Sequence, residues 1–342
     1  MTDKAELLAK ASKPAEEALR LHAYYKGKMQ TLPKCAIRSL EDFSVWYTPG
    51  VAAPCKAIQA DHELVYDYTN KGNTIAIVSD GTRVLGLGDI GPEAGLPVME
   101  GKALLFKYMG GVDAVPMCLN TKDPDELIRT VRLLTPSFGA INLEDIAMPK
   151  CFRILRELQD DCPIPVWHDD QQGTGTVLLA GLINALHVVG KQMGQVRIAM
   201  IGMGAANVPT YRFLKVFGAD PARIVACDAG GILGTHRREY ELDPAFSEQW
   251  NVCLHTNPAG LRGGIAEALQ GADVCVAFSA GGIIKPEWVK GMARDAICVM
   301  FRLVLLGSLA LEVRHRHVED GSAGLLARVG VPGHAPDRKS VV

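Results

Sequence analysis

RIAMIGMGAAN, residues 197–207, decides the fold. An apolar run ends at Ile201, glycines stand at Gly202 and Gly204, and Asn207 opens a stretch with helical spacing. A glycine pattern carries information only in such a strand, turn and helix context. There Gly202 makes the tight turn, and Gly204 lets the backbone approach a pyrophosphate. Ala205, Ala206 and Asn207 begin the helix, whose first N–H groups and dipole favour negative charge. Asn207 stands where Gly or Ala is usual at the third position, which predicts looser packing of helix on strand.

Outward from this turn, RIVACD (residues 223–228) is the next strand candidate and ends in Asp228. A carboxylate there accepts hydrogen bonds from ribose hydroxyls and repels a 2′-phosphate, which favours NAD over NADP. Arg237 and Arg238 pull the other way, because a loop folding back could aim a guanidinium at that phosphate. ADVCVAFS (272–279) and AICVMF (296–301) add strands with helix-sized spacers, as in a doubly wound sheet. Upstream, GTGTVLLAGLINALHVVG (173–190) reads as one long apolar helix that connects two domains. Ahead of it NTIAIVS, DAVPMCL, AINLEDI and PIPVWHDD read as strands, and GKALLFKYMGG and PDELIRTVRLLTP as helices. This alternation defines an α/β chain. The expected division is a first α/β domain over residues 1–164, a Rossmann-like NAD(P)-binding domain over 165–300, and a tail over 301–342.

Composition narrows the function classes. The net charge is −2 with both signs interspersed, so a nucleic-acid partner has no electrostatic support. Residues 1–22 mix Lys, Glu and Asp with Leu and Ala at helical spacing, unlike a signal peptide. LVLLGSLAL (303–311) is about half the ~20 residues of a membrane span. The expectation is a cytoplasmic protein with no membrane segment. Nine cysteines, an odd number without a CxxC pair, fit neither a disulfide framework nor a zinc cluster. Cys227, Cys275 and Cys298 each sit in a strand candidate and read as core residues.

Two acid pairs end strand candidates in the first half: Glu144 and Asp145 in INLEDI, Asp169 and Asp170 in VWHDDQQGTGT. Ligands of α/β sheets bind at strand carboxyl ends. Clustered carboxylates repel unless a cation offsets them, and hard oxygen ligands select Mg²⁺ or Mn²⁺. Each pair alone also reads as a helix cap or a solvated loop. Tyr47 before Thr-Pro reads alone as a packed turn residue, and Lys102 near a helix start as a solvated charge.

YTPGVA (47–52), SDGTRVLGLGDIGPEAGLPVMEGK (79–102), NLEDI, HDDQQGTGT and GMGAAN, in this order, resemble the motifs of malic enzymes. The resemblance spans residues 1–300. It implies an N-terminal substrate and metal domain, a nucleotide domain, and oxidative decarboxylation of malate to pyruvate and CO₂ with reduction of NAD or NADP. It further implies that Glu144, Asp145 and Asp170 hold Mg²⁺ or Mn²⁺, that Arg83 grips a malate carboxylate, and that Asp169 lies beside the catalytic lysine. Lys102 is implied as general base, with a pKa lowered by its neighbours, and Tyr47 as general acid. A homodimer is implied as well. His168 is read as a packing or supporting residue.

After Met300 the resemblance ends. Malic enzymes continue into an Asn-Pro-x-Pro-Glu turn and a later Asn-containing segment, and no Asn follows Asn257 here. The tail lacks a period matching the preceding domain, as a foreign or out-of-frame segment would. Two readings therefore stand: an active enzyme, or a chain that keeps nucleotide and metal residues but lacks productive malate binding. His315 and His317 lack the rest of a ligand set and read as solvated.

Overall fold

The structure, a computed structural model, describes residues 4–279, 282–301 and 309–313. Its residues fall into two compact units, Met1–Asp169 and Asp170–Val342.

The first unit opens with α1 (Lys4–Tyr25), α2 (Asp42–Trp46), α3 (Ala52–Ala60) and α4 (Val65–Tyr68). The sheet unit follows as β1 (Thr74–Ser79), α5 (Pro92–Gly110), β2 (Asp113–Cys118), α6 (Pro124–Leu134), β3 (Ala140–Leu143), α7 (Lys150–Asp161) and β4 (Val166–His168). The strands lie in the order β2-β1-β3-β4, all parallel. β1, TIAIVS, buries its last four residues, as a central strand flanked by helices requires. Met99 and Ala103 of α5 pack on Ile77 of β1 and Ala114 of β2. α5 stops where Gly111 takes the left-handed conformation, the common C-terminal cap. α6 starts at Asp123, whose side chain accepts from Asp125 N–H, with Pro124 in the first turn; both signals favour initiation.

The sheet grows in one direction from β1 through β2 and in the other through β3 and β4. The carboxyl ends of β1 and β3 therefore flank a topological switch point, where open α/β sheets bind ligands. β4 pairs with β3, Leu143 opposite His168. That pairing ties residues 166–168 to the first sheet, so the division falls after Asp169 and not after residue 164.

The second unit contains α8 (Thr174–Val188), β5 (Ile198–Ile201), α9 (Asn207–Val216), β6 (Ile224–Asp228), β7 (Gly231–Ile232), α10 (Glu239–Leu242), α11 (Ser247–His255), α12 (Ile265–Leu269), β8 (Val274–Ala277), α13 (Pro286–Val289), β9 (Ile297–Phe301) and β10 (Leu309–Val313). Strand order is β10-β9-β8-β5-β6-β7. The inner four are parallel, and β7 and β10 are antiparallel edges. The switch point lies at β5, where the glycine turn leaves the sheet. α8, expected to connect the domains, belongs to this unit and buries Leu178, Leu182 and Ala185 at the spacing of one helical stripe. Cys227, Cys275 and Cys298 are buried, as their strand context predicts. Within the tail, Leu309–Val313 pairs antiparallel with β9; residues 302–308 and 314–342, with His315 and His317, lie outside the described residues. Among the described residues no helix is long and apolar enough to cross a membrane.

Candidate active site

Acids converge where β3 and β4 end. Glu144, Asp145 and Asp170 each offer a carboxylate oxygen, and these atoms lie within 4.8 Å of one another. Glu144 and Asp145 are about 95% buried. Asp169 and Asp170 open a single π-helical turn, Asp169–Gly173, directly after β4; such turns recur at functional sites. Lys102 of α5 enters this group, its Nζ 2.7 Å from Asp169 Oδ2 and 3.1 Å from Glu144 Oε1. The other oxygen of Glu144 accepts from Asn142 Nδ2 at 2.8 Å. Close, all-oxygen and anionic, with two of its three acids buried, the donor set fits a hard divalent cation.

The lysine differs from expectation in one respect. Burial acts to lower its pKa, but the charges of Glu144 and Asp169 outweigh that and raise it above the usual lysine range. A neutral or cationic surrounding, which would lower it, is not what the fold provides. His168 is fully buried on β4, and burial drives its pKa down to about 3 against the pull of Asp169. It is a neutral core imidazole.

A hydrogen-bonded brace sets the loop after β1 against the loop after β3. Asp80 is buried; its Oδ1 accepts from Thr82 N–H at 3.0 Å and from Thr82 Oγ1 at 2.6 Å. Its Oδ2 pairs with Lys150 Nζ at 2.5 Å. Thr82 Oγ1 accepts from Ala147 N–H, and Arg83 N–H donates to Asp145 O at 3.0 Å. Asp145 sits at a φ of 54°, an uncommon conformation for a residue other than glycine, and the brace holds it there. The Arg83 side chain is exposed, free of the brace that fixes its backbone. Asp80 and Thr82 lie within SDGTRV and Asn142 within NLEDI, motifs whose other residues drew the chemistry, while Lys150 lies outside every motif. Tyr47 ends α2 at 70% exposure, and among the described residues its hydroxyl makes no hydrogen bond. The structure does not join it to Lys102.

The glycine turn meets its expected geometry at Gly202. Gly202 has a φ of +86°, and a Cβ there would lie 2.4 Å from Phe278 O, so the fold itself demands glycine. Among the described residues a Cβ on Gly204 would meet nothing within 4 Å, so their packing does not demand glycine there, and close approach of a ligand is a reason for it. Ala205 and Ala206 carry the turn into α9, where Val208 N–H donates to Gly204 O and Thr210 N–H to Ala206 O, each at 3.2 Å. Asn207 corrects the expectation of looser packing: fully buried, its amide donates to Ile201 O at 3.1 Å and Gly202 O at 2.6 Å. From α11, the buried Gln249 donates to Met203 O at 3.1 Å. Its position 46 residues downstream left no local signal in the sequence.

Asp228 ends β6 as expected, but its carboxylate is occupied. Arg237 Nη1 and Nη2 contact Oδ1 and Oδ2 at 2.9 and 3.1 Å, Gly230 N–H donates to Oδ1 at 2.8 Å, and the Tyr240 hydroxyl donates to Oδ2. Arg238 lies apart, paired with Glu241 at 2.6 Å.

Together these features define a two-unit α/β protein of the dinucleotide-fold class with an acid and lysine cluster at the switch point of its first sheet. Residues 26–159 match the family Malic enzyme, N-terminal domain. The NAD-dependent malic enzyme of Geobacillus stearothermophilus is 48% identical over 271 residues, covering 79% of this chain and 55% of that protein. The malic enzyme structure from Entamoeba histolytica is 45% identical with a TM-score of 0.82, covering 87% of this chain and 63% of that one. The NAD-dependent malic enzyme structure from Thermotoga maritima is 44% identical with a TM-score of 0.78, covering 82% and 73%. The chain belongs to the malic enzyme family. It spans little more than half the length of the Geobacillus relative.

The brace predicts a specific cost. Lys150→Met leaves the buried Asp80 charge unpaired and is expected to destabilise the protein by about 3–5 kcal/mol. Lys107→Met breaks an exposed pair with Asp113 and is expected to cost at most about 1 kcal/mol. Urea unfolding of both variants checks the difference, and equal losses would show that the brace does not matter.

Proposed function

We propose that this chain catalyses the oxidative decarboxylation of malate to pyruvate and CO₂, with a nicotinamide dinucleotide and Mg²⁺ or Mn²⁺ as cofactors. The observation that carries the reading is Lys102 within hydrogen-bond reach of Asp169 and Glu144, beside three carboxylates that fit a divalent cation. When bound, the nicotinamide supplies the hydride acceptor and the cation supplies Lewis-acid charge for the oxyanion created by loss of CO₂.

The chain's own residues account for binding and proton movement. Glu144, Asp145 and Asp170 would hold the cation. Arg83, exposed on a loop fixed by its own backbone, offers a guanidinium to a malate carboxylate. Lys102 starts as an ammonium and must lose a proton before it can accept one; Asp169, at 2.7 Å, is placed to take it. As a neutral amine Lys102 then removes the proton of the C2 hydroxyl. Tyr47 is proposed to protonate C3 of the enolate, a role supported by its YTPGVA motif and an exposed hydroxyl. For the nucleotide, Gly202, Gly204, Ala205, Ala206 and Asn207 form the turn beneath the pyrophosphate, with Asp228 at the adenosine end.

A homodimer is part of this proposal. α2, α3 and α4 contain no buried residue, and Leu19, Tyr24, Leu40, Val45 and Trp46 are all more than half exposed. Apolar surface on this scale marks an interaction face. Light scattering of the purified chain is expected to give twice the mass of 36.8 kDa; a monomer at micromolar concentration would contradict the assignment.

A second reading, a chain that binds nucleotide and metal without turnover, is favoured by the contacts of Glu144 and Asp169 with Lys102, which hold on the lysine the proton a base must lack. One assay separates the two. With malate, Mn²⁺ and NAD or NADP, the first reading expects reduced nucleotide and pyruvate in equal amounts. Lys102→Ala is then expected to lower kcat by at least about 100-fold while nucleotide affinity stays the same. Nucleotide binding without any pyruvate in the unaltered chain would sink the first reading and uphold the second.

A further inference from the structure

The carboxylate at the end of β6 is saturated. A carboxylate offers about four lone-pair positions, and those of Asp228 are filled by Gly230 N–H, the two Nη atoms of Arg237 and the Tyr240 hydroxyl. Arg237 is tied down in turn. Its Nε pairs with Glu239, its Nη1 also donates to Gly231 O at 3.3 Å, and its guanidinium lies 5.1 Å from the Tyr240 ring centroid. The side chains of Asp228 and Arg237 are each only 13% exposed. This is a built cluster and not a pair of solvated charges.

The arrangement changes what Asp228 can do. An open carboxylate at this place in a dinucleotide fold accepts from the ribose hydroxyls and repels a 2′-phosphate. Here its acceptor positions are spent and its charge is neutralised at contact distance. We infer that Arg237 is a specificity-determining residue that masks Asp228, so that the second unit accepts dinucleotides with and without a 2′-phosphate. Arg237 acts through the carboxylate and is not the phosphate's ligand, since four of its five N–H groups are committed to the protein. The inference rests on the dinucleotide reading of the glycine turn.

Fluorescence titration of the full chain with NADH and with NADPH tests it without reference to turnover. The two dissociation constants are expected within about tenfold of each other. Arg237→Gln bares the Asp228 charge and is expected to weaken NADPH relative to NADH by about tenfold or more. In the double variant Asp228→Asn/Arg237→Gln the charge is gone, and near-equal binding is expected to return. If the double variant keeps the loss of NADPH seen in the single one, Arg237 is a direct phosphate ligand and the inference is overturned. A preference of the unaltered chain for NADH by more than about 100-fold overturns it without any variant. Failure to bind either nucleotide overturns the dinucleotide reading itself, and this inference with it.

Discussion

Crowding of negative charge at the ends of β3 and β4 is the constraint on which the first unit depends. Glu144 and Asp145 are nearly excluded from water, and Asp169 and Asp170 follow within two residues of β4. Burying an uncompensated carboxylate is costly. Lys102 compensates part of this charge by contact with Glu144 and Asp169, and Asn142 satisfies the remaining oxygen of Glu144. The brace of Asp80, Thr82 and Lys150 maintains the loop geometry that makes the crowding possible. The fold keeps these acids together, and under the proposed function a divalent cation would complete the charge balance.

Much of this was legible in the sequence because it depends on local patterning. Apolar runs ending in Asp228, Glu144 or Asp169 marked strands whose carboxyl ends carry the candidate site residues, and parallel order followed from alternation with helices. The glycine turn could be placed because strand, turn and helix are contiguous. What escaped was non-local. Lys150 acquires meaning only when α7 brings it to Asp80, which lies 70 residues earlier. Gln249 supports the glycine turn from another helix. The π-helical turn at Asp169 has no sequence signature of its own. PIPVWHDD reads as a strand of the first half, and its pairing with β3, which no local pattern shows, ties residues 166–168 to the first sheet.

Two residues show how a correct position can carry a different role. Asn207 occupies the third place of the glycine pattern, where a side chain was expected to hold helix and strand apart. It instead donates two hydrogen bonds, to the carbonyls of Ile201 at the strand's end and Gly202 in the turn. Asp228 stands where a ribose acceptor belongs, yet Arg237 and Tyr240, 9 and 12 residues further on, take its lone pairs. Spacing identifies a position; only packing shows whether its atoms are free. Lys102 gives the same lesson for charge, since identifying it as a base candidate did not reveal that two acids hold its proton.

The central claim is that the acids at the ends of β3 and β4 form a site for a divalent cation. Titration of the full chain with Mn²⁺, followed by loss of the free-ion paramagnetic resonance signal, measures this without substrate or nucleotide. The account predicts one saturable site per chain that Mg²⁺ displaces and that Asp145→Asn weakens by about tenfold or more. Absence of saturable binding, or binding that Asp145→Asn leaves unchanged, would contradict it.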